Sequence, residues 1–256
     1  MEIAIEIKSL SIKIDKKHIL EKISFSVPKS GLTVLMGENG SGKTTLLRSI
    51  CGNLQSTCGD IFICGKQQRL MKRSELSKAI SYIPQSHTPI FRYSVLDFVL
   101  MGSAASLRIY EQPTDNEINK AIDIIRQLSL EDFIQTDYST LSGGERQLAL
   151  IARGLLQNAP IILLDEPVAN LDFINQHRIM TILRKLSTQD ITVLVTVHDP
   201  NLALKYADHV VFLHKAQVLT MLHRNSPDYL SNFHSALKNI YGEVLLTTQE
   251  HFEVNT

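Results

Sequence analysis

A glycine-rich run with one lysine and a following threonine constrains this chain more than any other feature. Residues 37 to 44 read Gly-Glu-Asn-Gly-Ser-Gly-Lys-Thr, after an apolar strand pattern at residues 32 to 36 and before a helical pattern at residues 44 to 50. The run therefore lies at the amino end of a helix, where exposed backbone amides and the helix dipole favour an anion. Glycines at this spacing let successive amides turn towards that anion. The pattern predicts a loop that binds the phosphates of a nucleotide.

Two side chains of this loop have specific expected roles. Lys43 would neutralise the β- and γ-phosphates, and the Thr44 hydroxyl would bind Mg²⁺. A glycine-rich surface turn is the alternative, but the strand before the loop and the helix after it argue against that interpretation. The candidate nucleotide-binding residues are Gly37, Glu38, Asn39, Gly40, Ser41, Gly42, Lys43, Thr44 and Thr45.

Composition excludes several classes of protein. The 256 residues contain 26 basic and 26 acidic side chains, so no broad attraction to nucleic acid or anionic lipid is expected, and we predict no nucleic-acid partner. No apolar run approaches the ~20 residues that span a bilayer, and the first seven residues alternate apolar with acidic instead of forming a signal peptide. We therefore expect a cytoplasmic protein. Cys51, Cys58 and Cys64 have no histidine at zinc-ligand spacing and are expected to be reduced thiols.

The order of apolar patterns predicts an α/β fold. Short β-patterned runs between residues 3 and 27 favour an antiparallel start. Later apolar runs lack alternation, which is typical of strands buried on both faces of a parallel sheet. These runs lie at residues 161 to 164 and 191 to 197, and the segments at residues 60 to 64 and 79 to 83 are also strand-like. We predict a P-loop nucleotide-binding core with a mostly parallel sheet and an N-terminal antiparallel β subdomain.

A helical block interrupts this alternation. Thr114 and Glu117 form a capping box before apolar residues at helical spacing, and the helical pattern runs from about Pro89 to about Gln157. An inserted α-helical subdomain explains the interruption. The whole chain is predicted to be one domain, with core segments at 1–88 and 158–242, a helical subdomain at 89–157 and a tail at 243–256.

Polar side chains follow three of the predicted strands. Asp165 and Glu166 end the strand at residues 161 to 164, and open α/β sheets bind their ligands at this end of their strands. Asp165 is predicted to hold Mg²⁺, and Glu166 to polarise an attacking water. Gln85 and His198 follow two other strands, where an amide would coordinate metal or water and an imidazole would donate to a developing phosphoryl charge. Ordinary surface positions are the alternative for both, and their placement at one sheet edge favours the functional interpretation.

A second helix start also has the character of an anion site. Ser142 and Glu145 have capping-box spacing around Gly143 and Gly144, and each glycine costs about 1 kcal/mol relative to alanine within a helix. Exposed backbone amides at the positive end of the helix would explain these glycines. Two such sites need not hold two nucleotides in one chain. In a head-to-tail dimer, each chain would supply its second site to the nucleotide bound by the other.

Taken in order, these motifs resemble the ATPase subunit of ABC transporters over about residues 3 to 242. The sequence Leu-Ser-Gly-Gly-Glu is highly specific to that family. The motifs are the Walker A loop at 37–44, Gln85, the Leu-Ser-Gly-Gly-Glu signature at 141–145, the Walker B carboxylates Asp165 and Glu166, Asn170-Leu171-Asp172, and His198. The resemblance implies an ATPase coupled to transport.

The resemblance also implies cofactors and catalytic roles. ATP and Mg²⁺ are the expected cofactors, with the metal held by Thr44, Gln85 and Asp165. Glu166 would be the catalytic base, assisted by His198 and Gln85. These assignments agree with the roles that the residue types suggest on their own.

Dimerisation follows from the resemblance as well. Ser142, Gly143 and Gly144 would grip the γ-phosphate of ATP bound by the opposite subunit, so that the ATP-bound protein is a homodimer. Asp172 would lie at the dimer contact. An N-cap role for the helix that follows explains Asp172 equally well, and both roles are compatible.

A finer resemblance is to importer subunits that serve iron chelates, haem and cobalamin. It rests on residues 93–99, 198–208 and 240–242, which are shared in part with subunits for zinc, manganese or molybdate. It implies an integral membrane permease that contacts the chain near Pro89 to Met101, and an extracytoplasmic substrate-binding protein. The chain would then lie on the inner face of the cell membrane. A non-transport ABC protein is the alternative from another class, and an unrelated P-loop kinase or GTPase conflicts with the signature and with His198.

Two departures from the family pattern affect specific expectations. Ile14 stands where an aromatic residue usually stacks on adenine, so adenine stacking is not expected there. The final predicted hairpin, around residues 214 to 217, lacks the usual glycine, and the sequence leaves the type of turn open.

Overall fold

The computed structural model of the protein describes residues 2–15, 17–85, 91–105 and 112–242. Within these ranges the chain forms two β-sheets and eight α-helices. The predicted α/β class is confirmed, with one antiparallel sheet and one mostly parallel sheet.

The antiparallel sheet is formed by the N-terminal part of the chain. Its strands are β1 (Ile3–Ile14), β2 (Lys17–Pro28), β4 (Cys58–Ile63) and β5 (Lys66–Gln67), in the order β2-β1-β4-β5. The β-patterned segments at residues 3–7 and 11–14 form one continuous strand, β1. A register shift between Ile7 and Leu10, where Ser9 has φ 48°, marks a bulge that absorbs the break in alternation.

The larger sheet contains the strands whose carboxyl ends precede the predicted site residues. Its order is β10-β9-β3-β8-β7-β6, and all neighbours are parallel except β9 and β10. These strands are β3 (Gly31–Gly37), β6 (Ile80–Ile83), β7 (Ile161–Leu164), β8 (Thr192–Thr196), β9 (His209–His214) and β10 (Gln217–His223). Because β3, β8, β7 and β6 are adjacent and parallel, their carboxyl ends lie along one edge.

Helices cover the large sheet through apolar faces. In α6, Ile179 and Leu183 are buried, and Ile182 and Leu186 pack against the same core cluster. The core helices are α1 (Lys43–Ile50), α2 (Arg73–Ala79), α6 (Phe173–Ser187), α7 (Pro200–Tyr206) and α8 (Tyr229–Tyr241). Sequence patterns did not predict α2, whose only apolar residues, Leu76 and Ala79, pack partly buried against the core. Ala79 ends this helix instead of starting the next strand.

The helical block contains α3 (Val95–Leu100), α4 (Asp115–Gln127) and α5 (Gly143–Leu156). The capping boxes predicted at Thr114 and Ser142 are both present. The proposed boundary at Pro89 and the tail at 243–256 lie outside the described residues, and the division into subdomains stays a prediction. No helix in the described ranges is long and apolar enough to cross a membrane.

The turn that closes the β9–β10 hairpin needs no glycine. Lys215 and Ala216 separate the strands and have φ angles of 46° and 67°. Positive φ at both central residues defines a type I′ turn, whose twist matches that of the flanking strands. The carbonyl of Ala216 accepts a hydrogen bond from the Glu21 amide at 2.8 Å, which ties this turn to β2.

Close packing within the helical block depends on a small residue at position 102. A Cβ atom on Gly102 would overlap the backbone carbonyl oxygen of Arg153 in α5 and lie 3.3 Å from Leu156 Cβ. Gly102 is therefore required by space alone, since its φ is not positive.

We expect Gly102→Ala to destabilise the protein by about 1–3 kcal/mol, because a backbone atom of a packed helix cannot move aside as a side chain does. Urea unfolding measures the change. Gly143→Ala is the matched control, since the added Cβ would make only an ordinary contact of 3.6 Å with Leu171 Cδ2. Equal stabilities for the two variants would contradict the packing argument.

Candidate active site

The predicted phosphate loop joins β3 to α1. Gly40 and Gly42 have φ angles of 79° and 99°, in the region that favours glycine, and a Cβ on Gly42 would approach Leu20 Cδ2 to 2.5 Å. Gly42 is the N-cap of α1 and supplies no side-chain cap. The first amides of α1 therefore have no partner within the helix, which leaves them available to an anion.

Lys43 lies buried within this loop. Its Nζ donates to the carbonyl oxygens of Gly37 at 2.8 Å and Glu38 at 3.1 Å. Desolvation lowers the pKa of Lys43, while the nearby carboxylates of Glu166 and Asp165 act in the opposite direction. The loop thus holds a desolvated ammonium between neutral carbonyls, an arrangement that a phosphate would stabilise.

Ser41 Oγ, also within the loop, is buried and has no hydrogen-bond partner among the described residues. Buried hydroxyls are usually paired, so this atom also fits a site for phosphate oxygens.

Asp165 joins the loop to the sheet edge. Its Oδ1 accepts from the hydroxyls of Thr44 at 3.0 Å and Thr196 at 3.2 Å, and its Oδ2 accepts from Tyr82 at 3.2 Å. The carboxylate is buried and is satisfied by these three donors. Burial, with Asp165 as the next cause, raises the pKa of Tyr82 to about 12, so this phenol stays a donor at neutral pH.

The same residues fit a magnesium ion. Thr44 Oγ1 and Asp165 Oδ1 are hard oxygen donors 3.0 Å apart, next to the loop predicted to hold phosphates. Mg²⁺ in nucleotide sites takes one or two carboxylates and completes its shell with phosphate oxygens and water. Within the described ranges, no group of three or more His, Cys, Asp or Glu residues is arranged so that it could hold a metal ion by itself.

Glu166 presents its carboxylate between two polar side chains. Gln85 Nε2 donates to Oε2 at 2.9 Å, and His198 Nε2 lies 2.6 Å from Oε1. The backbone of Glu166 is left-handed, with φ 48°, and its amide donates to Thr196 Oγ1 at 2.6 Å. The Glu166 side chain is 19% exposed, so water can reach its carboxylate. Gln85 and His198 contact the two carboxylate oxygens, and Thr196 holds the backbone amide.

The structure therefore brings together most of the predicted residues. The predicted placement at one sheet edge is observed for Gln85, Asp165, Glu166 and His198, and the hydrogen bond described for Gln85 goes to Glu166. Sequence reasoning missed Tyr82 and Thr196, which both bind Asp165. Their only signal is a polar side chain within an apolar strand.

The second predicted anion site is organised separately. The described hydrogen bonds of Ser142 stay within its own helix start: Glu145 N donates to Ser142 Oγ, and Ser142 N donates to Glu145 Oε2 at 2.7 Å. Ser142 and Gly143 are exposed. This surface is open, and it makes no described hydrogen bond to the Asp165 cluster.

Asp172 lies next to this surface. Its carboxylate accepts from Asn175 N at 2.8 Å and Asn175 Nδ2 at 2.7 Å, so the N-cap interpretation is confirmed for α6. These hydrogen bonds lower the pKa of Asp172. A Cβ on Gly144 would lie 3.0–3.2 Å from the Asn175 side chain, so the Asp172–Asn175 pair packs directly against the second anion site.

The fold and this site together define a P-loop nucleoside triphosphatase. The family model of ABC transporters matches residues 20–169. The chain belongs to the ABC transporter family, and its ATP-binding subunits are ATPases coupled to transport. ATP is accordingly the nucleotide of this chain.

Curated relatives cover most of the chain. A probable iron chelatin transport ATP-binding protein of Helicobacter pylori is 43% identical, over 82% of this chain and 83% of the relative. A manganese transport system ATP-binding protein of Bacillus subtilis is 33% identical, over 84% of this chain and 84% of the relative. A hemin import ATP-binding protein of Shewanella denitrificans is 31% identical, over 84% of this chain and 85% of the relative.

Solved structures agree with this assignment. An inward-facing, putative metal-chelate type ABC transporter superposes with a TM-score of 0.78 at 28% identity, covering 91% of this chain and 89% of that one. A dimeric ATP-binding cassette bound to ADP and phosphate gives 0.76 at 26% identity, covering 87% and 99%.

Replacing Lys43 with methionine should separate stability from ligand binding. We expect Lys43→Met to unfold at the same or a higher temperature without nucleotide, since it removes a desolvated charge, and to lose the stabilisation that ATP confers on the wild type. Thermal unfolding with and without ATP measures both effects. Lys120→Met, which changes an exposed lysine, is the control and should keep the ATP-induced shift. An unchanged shift in Lys43→Met would contradict the assigned role.

Proposed function

We propose that this chain is the ATPase subunit of a transporter that imports an iron chelate or haem through a separate membrane permease. The similarity to the iron chelatin protein carries the choice of substrate class, since it is 43% identical to this chain and the manganese relative is 33% identical. The hemin import relative and the metal-chelate type transporter structure support the same class. The contacts around Glu166 support hydrolysis.

In the proposed reaction, Glu166 orients and polarises the water that attacks the γ-phosphate. Gln85 and His198 hold its two carboxylate oxygens in place, and His198 would turn its imidazole towards the developing charge on the phosphoryl group. Lys43 neutralises the phosphates from within the loop. Magnesium bound by Thr44 and Asp165, with Gln85 nearby, would add positive charge at the phosphate oxygens.

The chain would complete its site only as a homodimer. Ser142, Gly143 and Gly144 would bind the γ-phosphate held by a second copy, and Asp172 would lie at the contact between the copies. The exposed helix start at Ser142 and Gly143 supports this role, as does the dimeric neighbour bound to ADP and phosphate. One chain would thus supply two different half-sites.

The permease contact is proposed at residues 91–101, while Pro89 and Ile90, which the sequence also assigned to it, lie outside the described residues. Phe91 and Met101 are large apolar side chains at the two ends of this segment, and their exposures of 67% and 37% support the proposed contact. A cavity of about 270 Å³ next to Met101 is lined in part by Ile83 and Arg153 and would receive part of the permease. The protein would then lie at the inner face of the membrane, with an extracytoplasmic binding protein delivering the chelate.

Glu166→Gln tests the hydrolytic role. The substitution keeps the size of the side chain and the hydrogen bond from the backbone amide of residue 166 to Thr196, but it removes the base. We therefore expect turnover to fall by roughly 10² to 10⁴-fold, with ATP binding intact. Phosphate release measures turnover, and equilibrium binding of ATP measures the second property. Glu131→Gln, an exposed position outside the site, is the matched control and should hydrolyse ATP at the wild-type rate. Near-normal hydrolysis by Glu166→Gln would overturn the assignment.

The same variants test the substrate class in cells. A strain that lacks this chain should take up less radiolabelled iron chelate or haem, and both the wild type and Glu131→Gln should restore uptake while Glu166→Gln does not. Manganese uptake serves as the comparison and should not respond. Loss of manganese uptake with unchanged iron uptake would favour the alternative class.

A further inference from the structure

The hydroxyl of Thr196 contacts both of the carboxylate residues at the end of β7. Thr196 is the last residue of β8 and is 0% exposed. Its Oγ1 accepts from the backbone amide of Glu166 at 2.6 Å and lies 3.2 Å from Asp165 Oδ1. One buried hydroxyl therefore joins the predicted metal ligand to the predicted base.

The contact to Glu166 supports an unusual backbone conformation. A residue other than glycine at φ 48° is disfavoured and persists only where its surroundings hold it. The amide of Glu166 points towards Thr196 in this conformation, and an amide in this interior position needs an acceptor. Fixing this amide also fixes the direction in which the Glu166 side chain leaves the backbone, towards Gln85 and His198.

The contact to Asp165 follows from the chemistry of a hydroxyl. Because Thr196 Oγ1 accepts from the Glu166 amide through a lone pair, its own proton is left to donate. Two acceptors are within reach: Asp165 Oδ1 at 3.2 Å and the Leu164 carbonyl at 3.5 Å. The nearer one carries the negative charge and gives the stronger hydrogen bond. The proton therefore goes to the carboxylate that is also bound by Thr44.

We propose that Thr196 is a positioning residue for ATP hydrolysis, with a hydroxyl that sets the orientation of Glu166 and Asp165 relative to each other. This inference rests on the proposed function of those two residues. An ordinary β-branched strand residue is the competing explanation, and it requires only the methyl group of Thr196 and its shape. The two explanations differ in whether the hydroxyl itself is needed.

Thr196→Val removes the hydroxyl and keeps the shape. We expect kcat for ATP hydrolysis to fall by about 10–100-fold, the range found when groups that orient metal ligands are removed, with little change in KM. Thr196→Ser keeps the hydroxyl without the methyl group and should restore most of kcat. If Thr196→Val does not fold, Thr196→Cys takes its place, since a thiol of similar size is a poor acceptor.

Thr192→Val is the matched control at the other end of the same strand. Thr192 is also buried, and its Oγ1 accepts from the Ser30 amide at 3.1 Å, so the variant loses a comparable hydrogen bond far from the carboxylates. It should lose stability without losing kcat. Equal losses of kcat in Thr192→Val and Thr196→Val would show a general effect on the fold and would overturn the proposal, as would a wild-type kcat in Thr196→Val or a failure of Thr196→Ser to recover.

A second readout does not depend on hydrolysis. In the nucleotide-free protein, hydrogen exchange of the Glu166 amide should be faster in Thr196→Val than in the wild type and Thr196→Ser, because the amide has lost its acceptor. Unchanged exchange would overturn the positioning role. If exchange responds as expected but the wild type does not hydrolyse ATP, the proposed function fails while the contact stands, so the two failures are distinguishable.

Discussion

The Asp165 carboxylate accepts hydrogen bonds from three hydroxyls, and these contributions come from distant parts of the chain. Thr44 belongs to the helix after the phosphate loop, Tyr82 to β6 and Thr196 to β8. Because the four strands that lead to this edge, β3, β8, β7 and β6, are adjacent and parallel, small shifts in their register would separate the donors. The large sheet thereby sets the distance between the phosphate-binding loop and the base at Glu166.

The second anion site depends on different contacts. Its helix α5 is held by α3, α4 and β6, and its glycines face Leu171 and Asn175. Asn175 in turn binds Asp172, so the signature residues and the segment after the Walker B strand share one surface. A movement of α6 would shift Asn175, and with it the contacts that Asn175 makes to Asp172 and Gly144. This shared surface is a physical reason for a dimer contact and a phosphate contact to change together in the proposed homodimer.

Much of the fold was predictable because local patterns and long-range packing agree. The strand at 161–164 is apolar throughout and is buried on both faces, and the capping boxes at Thr114 and Ser142 are local hydrogen-bond patterns that need no tertiary contact. The α2 helix was missed because Arg73–Ala79 contains only two apolar residues, Leu76 and Ala79, which are too few for a helical pattern. The type of turn at Lys215 and Ala216 could not be predicted, because residues other than glycine that adopt positive φ carry no sequence signal here. Thr196 was missed since its partners lie 30 and 31 positions earlier, and a threonine among valines is an ordinary strand residue.

The central claim is that one chain carries two half-sites that only a second copy completes. Sedimentation of the Glu166→Gln protein with saturating ATP and Mg²⁺ tests this claim most directly. We predict a species of twice the mass of one chain with ATP and a monomer without it. Ser142→Arg introduced into the same protein should remain monomeric while still binding ATP. A Glu166→Gln protein that stays monomeric at saturating ATP, even together with its permease, or a dimer that is indifferent to Ser142→Arg, would contradict the account.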